Sequence, residues 1–494
     1  GGIVASRIAR AFRIGGPSFT VSAEETSGLR ALGSGLRALQ QNELDQVIVG
    51  SVDLASDLRA VTGHIEYHQH ANVADGATAF ILKRHEEALR DGDKVYSIIK
   101  GFGAASAGGC DDKEFNPSAQ VESIQNACSD ARCHLDDIDH ITLASEAEYL
   151  ADIPILGNVS MNQFPLGHSG AATGLLAVAS AVSSLRHRLL PTAQDSQVYY
   201  WLKDRIKGTR KNLVNASSLD GNAISILLEE GDAAPIAKTD SAKLFIAAAK
   251  NSQTLINKIK QLSFSDVPQY HHEDEQLRVA LVVNDNNEFN LACDEAINAI
   301  QTNRSIDNGR CFYSVVPLAS QGKLAFVYPG SGNHFWGMGQ ELGVAFPNVL
   351  EKLNSENDSL ASQFTKGRFW QSQNSKANLD KALSHEEVIF GQVWLGTFVS
   401  DVVTSFAIKP NAVIGYSLGE TTGFFSTRTW TARDEMLQRI QKSTLFTEEL
   451  AGACTSVQKA WGTDEPIDWA LGVINTSADN VKTVLEDYKR VYLL

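Results

Sequence analysis

The feature that most constrains this chain is the pentapeptide Gly415-Tyr416-Ser417-Leu418-Gly419. A short apolar run, Ala412 to Ile414, precedes it and is long enough for a buried strand. The residues after it can form a helix. A G-x-S-x-G between strand and helix is a nucleophile elbow, because small residues beside the serine permit a sharp turn that presents its hydroxyl. The amide of Leu418, at the helix start, then points where an oxyanion develops during acyl transfer. The same five residues also describe an ordinary glycine-bracketed turn, so context decides.

That context lies upstream, in Leu324-Ala-Phe-Val-Tyr-Pro-Gly-Ser-Gly-Asn333, followed by Trp336-Gly-Met-Gly339. An apolar strand breaking into a glycine-rich loop can supply the second amide of an oxyanion hole. The two stretches, YPGSGNHFWGMGQEL and GYSLGE, together resemble the acyltransferase domains of fatty acid and polyketide synthases, which carry FPGQG, GMG and GHSxGE. The resemblance implies Ser417 as nucleophile and the amides of Leu418 and Ser331 as the oxyanion hole. Ser331 stands where the family has Gln, and Tyr416 where it has His. The family's carboxylate-binding Arg falls on Lys442, a point charge in place of a bidentate fork, which puts selectivity for malonyl in doubt. The family's catalytic His lies beyond a small ferredoxin-like subdomain. This sequence reaches Leu494 first, with Leu471–Asn480 and a helical run over Val481–Val491 resembling the start of that subdomain. His334 and His385 do not occupy the family position, and each reads as a solvated loop or helix-end residue. Without a base a serine hydroxyl is a poor nucleophile, so this stretch of chain is expected to be inactive as it stands.

The first part of the chain alternates helical and strand patterns. Leu29, Leu32, Leu36 and Leu39 recur at helical spacing, and Gln46–Val49 and Thr78–Leu82 are β-rich runs. Such alternation predicts an α/β layered domain. Four blocks here resemble ketosynthases of the thiolase type: GGPSFTVSAEETSGLRAL, ADGATAFILKRHEEALRDGDKVYSIIKG, GHSGAATG and SSLDGNAISILLEE. By position the family's cysteine becomes Glu25. A carboxylate at a helix N-terminus suits the dipole as a thiolate does, but it cannot hold a thioester. Of the family's Cys-His-His set only His168 remains. The resemblance therefore implies a non-condensing domain like a chain-length factor, with decarboxylation a lesser possibility. His64, His68 and His70 read as an exposed cluster and not as a metal site, since no further ligand completes them. The Gly101–Gly109 run lacks Walker or Rossmann partners and reads as a loop.

Taken together, these readings predict an α/β chain: residues 1–231 a partial thiolase-like ketosynthase domain, 232–321 a small α/β linker, and 322–494 a partial α/β-hydrolase-like acyltransferase domain with the start of a ferredoxin-like subdomain. Within the linker the strand LFIAAA, a helix over Leu255–Leu262, the strand Val279–Val283 and a helix near Leu291–Ile300 are expected. The terminal residues read like the interior of a domain, as in a fragment. A formal charge of −15 argues against nucleic acid as a partner. No run reaches the roughly 18 apolar residues of a membrane span. The six cysteines form no C-x-x-C pair, which fits a cytoplasmic location.

The order of domains resembles a subunit of bacterial polyunsaturated fatty acid synthases. That resemblance implies acyl-CoA or malonyl-CoA as substrate, with no resident cofactor or metal. It implies as partners the phosphopantetheine arm of an acyl carrier protein and an active ketosynthase, with dimerisation through the ketosynthase-like region. The alternatives are an inert scaffold and a thioesterase using Ser417.

Overall fold

The computed structural model of the chain describes every residue except 1, 55, 59–60, 63–72, 109–116, 145–158, 164–166, 192–197, 219, 232–241, 271–275, 318–321, 365–368, 371–382, 451, 469–471 and 494. The histidines at 64, 68 and 70 and the expected join at 232–240 lie outside the described residues. The chain forms two compact units, Gly1–Asp434 and Glu435–Leu494.

The first unit begins with helix α1 (Ile3–Phe12) and helix α2 (Ser27–Gln40). The leucines that predicted α2 by their spacing fall on its inner face: Leu29 and Leu32 are fully buried and Leu39 nearly so. Strands β1 (Gln46–Leu54) and β2 (Asp75–Lys83) pair antiparallel over their whole length. Gly50, directly after the run Gln46–Val49, is interior to β1 and pairs with Ala79. Helix α3 (His85–Asp91) follows.

A five-stranded mixed sheet then forms from β3 (Ser97–Ser106), β4 (His140–Leu143), β5 (Ser160–Gln163), β8 (Lys211–Ser217) and β9 (Asn222–Glu230), in the order β3-β9-β8-β4-β5. Helix α4 (Ser118–Ala131) packs on β3 and β9, and helix α5 (Thr173–His187) on β8 and β9. Helices α2 and α5 also touch each other and the β1–β2 pair, so sheet and helix layers alternate.

The run Gly101–Gly109 is corrected by this sheet, since Gly101 and Gly103 sit inside β3. A Cβ on Gly101 would lie 2.1 Å from the Ala127 carbonyl oxygen, and one on Gly103 2.0 Å from that of Ser123. The glycines let α4 press against the strand.

Short strands β6 (Leu189–Pro191) and β7 (Val198–Tyr200) pair beside this region. The linker folds as expected. A sheet in the order β10-β11-β13-β12 is built from β10 (Lys243–Ala249), β11 (Leu277–Val283), β12 (Ile306–Asp307) and β13 (Cys311–Tyr313). Helices α6 (Ser252–Gln261) and α7 (Asn286–Gln301) cover it around a core including Phe245, Leu255, Leu281 and Phe289. Asn251 caps α6 by accepting from the Thr254 amide, and Asp285 caps α7.

The rest of the first unit holds strands β14 (Ala325–Tyr328) and β15 (Ala412–Gly415), paired in parallel, and helices α8 (Gln340–Ala345), α9 (Pro347–Ser355), α10 (Leu360–Phe364), α11 (His385–Ser405) and α12 (Leu418–Ser426). Helix α11 has 21 residues and a mean hydropathy of 1.3 over its most apolar window, so by length and composition it can cross a membrane, contrary to the sequence expectation. Its Phe390, Val393, Trp394 and Phe398 are buried in the core, and a core helix passes the same test.

That core is continuous. Leu175, Tyr200, Trp201 and Ile226 from the N-terminal layers join Leu350, Phe364, Trp394 and Phe398 in one cluster. Charged contacts reinforce the join: Glu351 on α9 meets Arg188 at 2.5 Å and accepts from the Tyr200 hydroxyl at 2.5 Å. Asp204 accepts from the Ser362 amide at 2.9 Å. The division between units therefore falls at 434, inside the region expected as the third domain.

Helix α13 (Arg433–Lys442) leads into the second unit, which contains helices α14 (Thr455–Trp461) and α15 (Ala478–Leu485). The helix expected over Val481–Val491 ends at Leu485. Among the described residues of this unit there is no strand, so the start of a ferredoxin-like sheet is not formed here.

Candidate functional site

Ser417 sits where the sequence placed it, between the end of β15 and the first residue of α12. Its backbone has φ 52° and ψ −116°, a left-handed conformation that an L-residue adopts only under constraint. The constraint comes from the glycines around it. A Cβ on Gly415 would lie 2.3 Å from the Glu420 amide nitrogen, and one on Gly419 2.2 Å from the Tyr328 carbonyl oxygen. Strand and helix can approach this closely only when both positions lack a side chain. Ser417 is exposed, and among the described residues its hydroxyl makes no hydrogen bond. Its carbonyl accepts from the Glu420 amide at 3.0 Å, in the first turn of α12.

The second half of the site is the loop leaving β14. In-register pairing of Tyr328 with Gly415 brings this loop to the elbow, and the Tyr416 amide donates to the Tyr328 carbonyl at 3.1 Å. Gly330 lies under the Tyr416 ring, where a Cβ would meet it at 2.9 Å. Gln392 of α11 holds the loop at two points. Its Nε2 donates to the Gly330 carbonyl at 3.2 Å, and its Oε1 accepts from the Gly332 amide at 3.0 Å. Asn333 Nδ2 donates to the same Gly330 carbonyl at 3.0 Å. Ser331 is exposed between these fixed points. Sequence reading missed Gln392, whose position mid-helix carries no motif signal. Beneath the elbow the Tyr328 hydroxyl is hydrogen-bonded to Ser400 and Ser426, each at 2.7 Å.

Two sequence-picked histidines differ in setting. His385 is exposed at the first residue of α11, as expected. His334 is not the solvated loop residue expected. It is half-buried, its Nδ1 is buried without a partner, and its ring lies edge-on to Phe369 at 6.4 Å. Lys442 ends the helix Arg433–Lys442 and belongs to the second unit.

The other predicted site, at Glu25, lies in a 3₁₀ turn, Glu24–Thr26, that leads into α2. Glu24 has φ 47°, a second left-handed non-glycine residue at a helix entrance. Burial, with Glu25 and Asp220 nearby, pushes the Glu24 carboxyl above its ordinary range. Glu25 Oε1 is 3.7 Å from His168 Nε2, while its Oε2 is buried without a hydrogen-bond partner. The structure thus sets the Glu25 carboxylate beside the His168 ring. Among the described residues, no group of three or more His, Cys, Asp or Glu side chains has metal-binding geometry.

Residues 1–80 match the family described as "Beta-ketoacyl synthase, N-terminal domain". The chain is similar to polyketide synthase GfsE of Streptomyces halstedii, at 24% identity over 85% of this chain and 13% of that protein. It is likewise similar to the pikromycin polyketide synthase component PikAIII of Streptomyces venezuelae, at 23% identity over 91% of this chain and 32% of that protein. The chain thus spans a third or less of these relatives' lengths. Among solved structures, the ketosynthase from module 6 of the bacillaene synthase of Bacillus subtilis 168 aligns at 18% identity and a TM-score of 0.44, covering 63% of this chain and 65% of that one. The family match thus covers residues 1–80, on a chain similar along most of its length to parts of polyketide synthases.

Proposed function

We propose that this chain is the acyltransferase component of a synthase of the polyunsaturated fatty acid or polyketide type, with Ser417 as the acyl-accepting nucleophile. The backbone of Ser417 is the observation that carries the reading. A serine held at positive φ between a parallel strand and a helix, exposed beside a clamped glycine loop, is built to attack a carbonyl. In the reaction Ser417 Oγ attacks an acyl-CoA thioester, and its proton passes to a base. The tetrahedral oxyanion is held by the amides of Leu418 and Ser331. The C–S bond then breaks, CoA leaves as the thiol and a serine ester remains. The phosphopantetheine thiol of an acyl carrier protein attacks that ester and regenerates the hydroxyl. No histidine among the described residues is hydrogen-bonded to Ser417, and the base is assigned to a residue outside them. The carboxylate-binding position that the resemblance implies falls on Lys442, which lacks the bidentate fork of the family's Arg.

Within this reading the ketosynthase-like region does not condense. Glu25 replaces the thiol that carbon–carbon bond formation needs, and the shared core favours a platform role. Dimerisation and pairing with an active ketosynthase fit the same role.

Incubation of the full-length protein with mass-tagged acyl-CoA tests the proposal. An ester on the Ser417 peptide that moves to carrier protein is expected. Loss of the label to water identifies a thioesterase, and absence of label leaves a scaffold.

A further inference from the structure

The rim of the elbow is aromatic. Tyr416, directly before the nucleophile, is 78% exposed although its ring packs over Gly330. Phe335 and Trp336 are 59% and 45% exposed. They lie two and three residues beyond Asn333, whose side chain is bonded to the Gly330 carbonyl, a chain reach of at most about 7 and about 11 Å. Large apolar side chains this open, on a loop held by Gln392, are a surface awaiting a ligand. None of Tyr416, Ser331, Asn333, Phe335 and Trp336 carries a formal charge. The one formal charge in the first turn of α12 is the exposed carboxylate of Glu420, which has the same sign as a malonyl group.

We infer that the acyl group delivered to Ser417 is uncharged and aliphatic, with its chain lying against Tyr416, Phe335 and Trp336. This inference rests on the reading of Ser417 as the acyl-accepting serine. An aromatic rim rewards each methylene that reaches it by roughly fourfold in binding. A carboxylate there gains no bidentate partner and would have to shed water against rings. The rim residues therefore determine chain-length preference without touching the scissile bond.

The experiment is a competition on the full-length protein between octanoyl-CoA, acetyl-CoA and malonyl-CoA, each with a distinct mass tag, read on the Ser417 peptide. Octanoyl is expected to label about tenfold or more faster than malonyl. Tyr416→Ala is expected to lower the octanoyl-to-acetyl ratio by about tenfold. The exposed position of Tyr416 keeps this variant folded, which its melting temperature checks, and Trp336→Leu provides a second variant. Faster labelling by malonyl overturns the inference while leaving Ser417 as nucleophile. An unchanged octanoyl-to-acetyl ratio in both variants also overturns it. Absence of label from all three thioesters overturns the acyl-transfer reading, and this inference with it.

Discussion

Among the described residues of the first unit, two helix entrances carry a non-glycine residue at positive φ, and they differ in what they present. At the first, Glu24 at φ 47° introduces Glu25, whose carboxylate faces His168 in a partly buried setting. At the second, Ser417 at φ 52° presents an exposed hydroxyl with no hydrogen bond among the described residues. Backbone strain of this kind costs of order 1–3 kcal/mol and persists where surrounding structure over-determines it. At the elbow, glycines at 415 and 419 and the paired strands impose it. At Glu24 the same strain remains although the residue that follows cannot form a thioester. The two entrances share a strained backbone and differ in the side chain they present.

The largest effect should separate the two entrances directly. Ser417→Ala is expected to abolish acyl labelling, a loss of at least about a thousandfold. Glu25→Gln should leave labelling within about twofold, measured by mass spectrometry of the same peptide. A comparable loss in both variants would show that the entrances act as one site.

Next comes the geometry of the elbow. Gly415→Ala forces a methyl group to 2.3 Å from backbone. It should destabilise the first unit by roughly 3–5 kcal/mol, read as a fall in melting temperature, and remove labelling with it. A well-folded, active Gly415→Ala would mean that the turn is looser than described.

The join between the two regions can be broken at Glu351. Its burial raises its pKa, but hydrogen bonds from Tyr200 and Arg188 outweigh this and hold it below its ordinary value. A carboxyl with a lowered folded pKa contributes stability that is present above its unfolded pKa. That stability is lost as pH falls through the folded value. Stability should therefore decline below about pH 4.5, the unfolded carboxyl range. Glu351→Ala should flatten that decline and cost about 3 kcal/mol at pH 7, because Arg188 is left without its closest acid. Denaturant melts at several pH values provide the check. A single cooperative transition in the parent protein would confirm that platform and elbow unfold together.

The smallest effect tests the support under the elbow. Tyr328→Phe removes a hydroxyl bonded to Ser400 and Ser426. It should cost about 1–2 kcal/mol with little change in labelling. A large loss of labelling with little loss of stability would place this hydroxyl in the catalytic geometry.

Much of this was legible beforehand. The apolar runs at Ala412 and Ala325, the leucine spacing in α2 and the linker strands all carry their period in local sequence. Gly101–Gly109 was misread because glycine marks both a loop and a strand pressed by a helix, and only the position of α4 tells them apart. The apolar face of α11 hid its role for a similar reason. A buried helix and a membrane span share one composition.

By itself the sequence determined which residues stand at the two helix entrances, since a residue's identity and its neighbours in the chain need no folding to be known. Glu25 excludes a thioester, and Ser417 stands between the glycines at 415 and 419. Tertiary structure alone decided that Gln392, far from any motif, holds the Gly330–Gly332 loop, that His334 turns its ring to Phe369, and that residues on either side of the linker share one core. These are contacts between segments remote in sequence, where burial and backbone approach are set by the packing of layers and not by any local pattern.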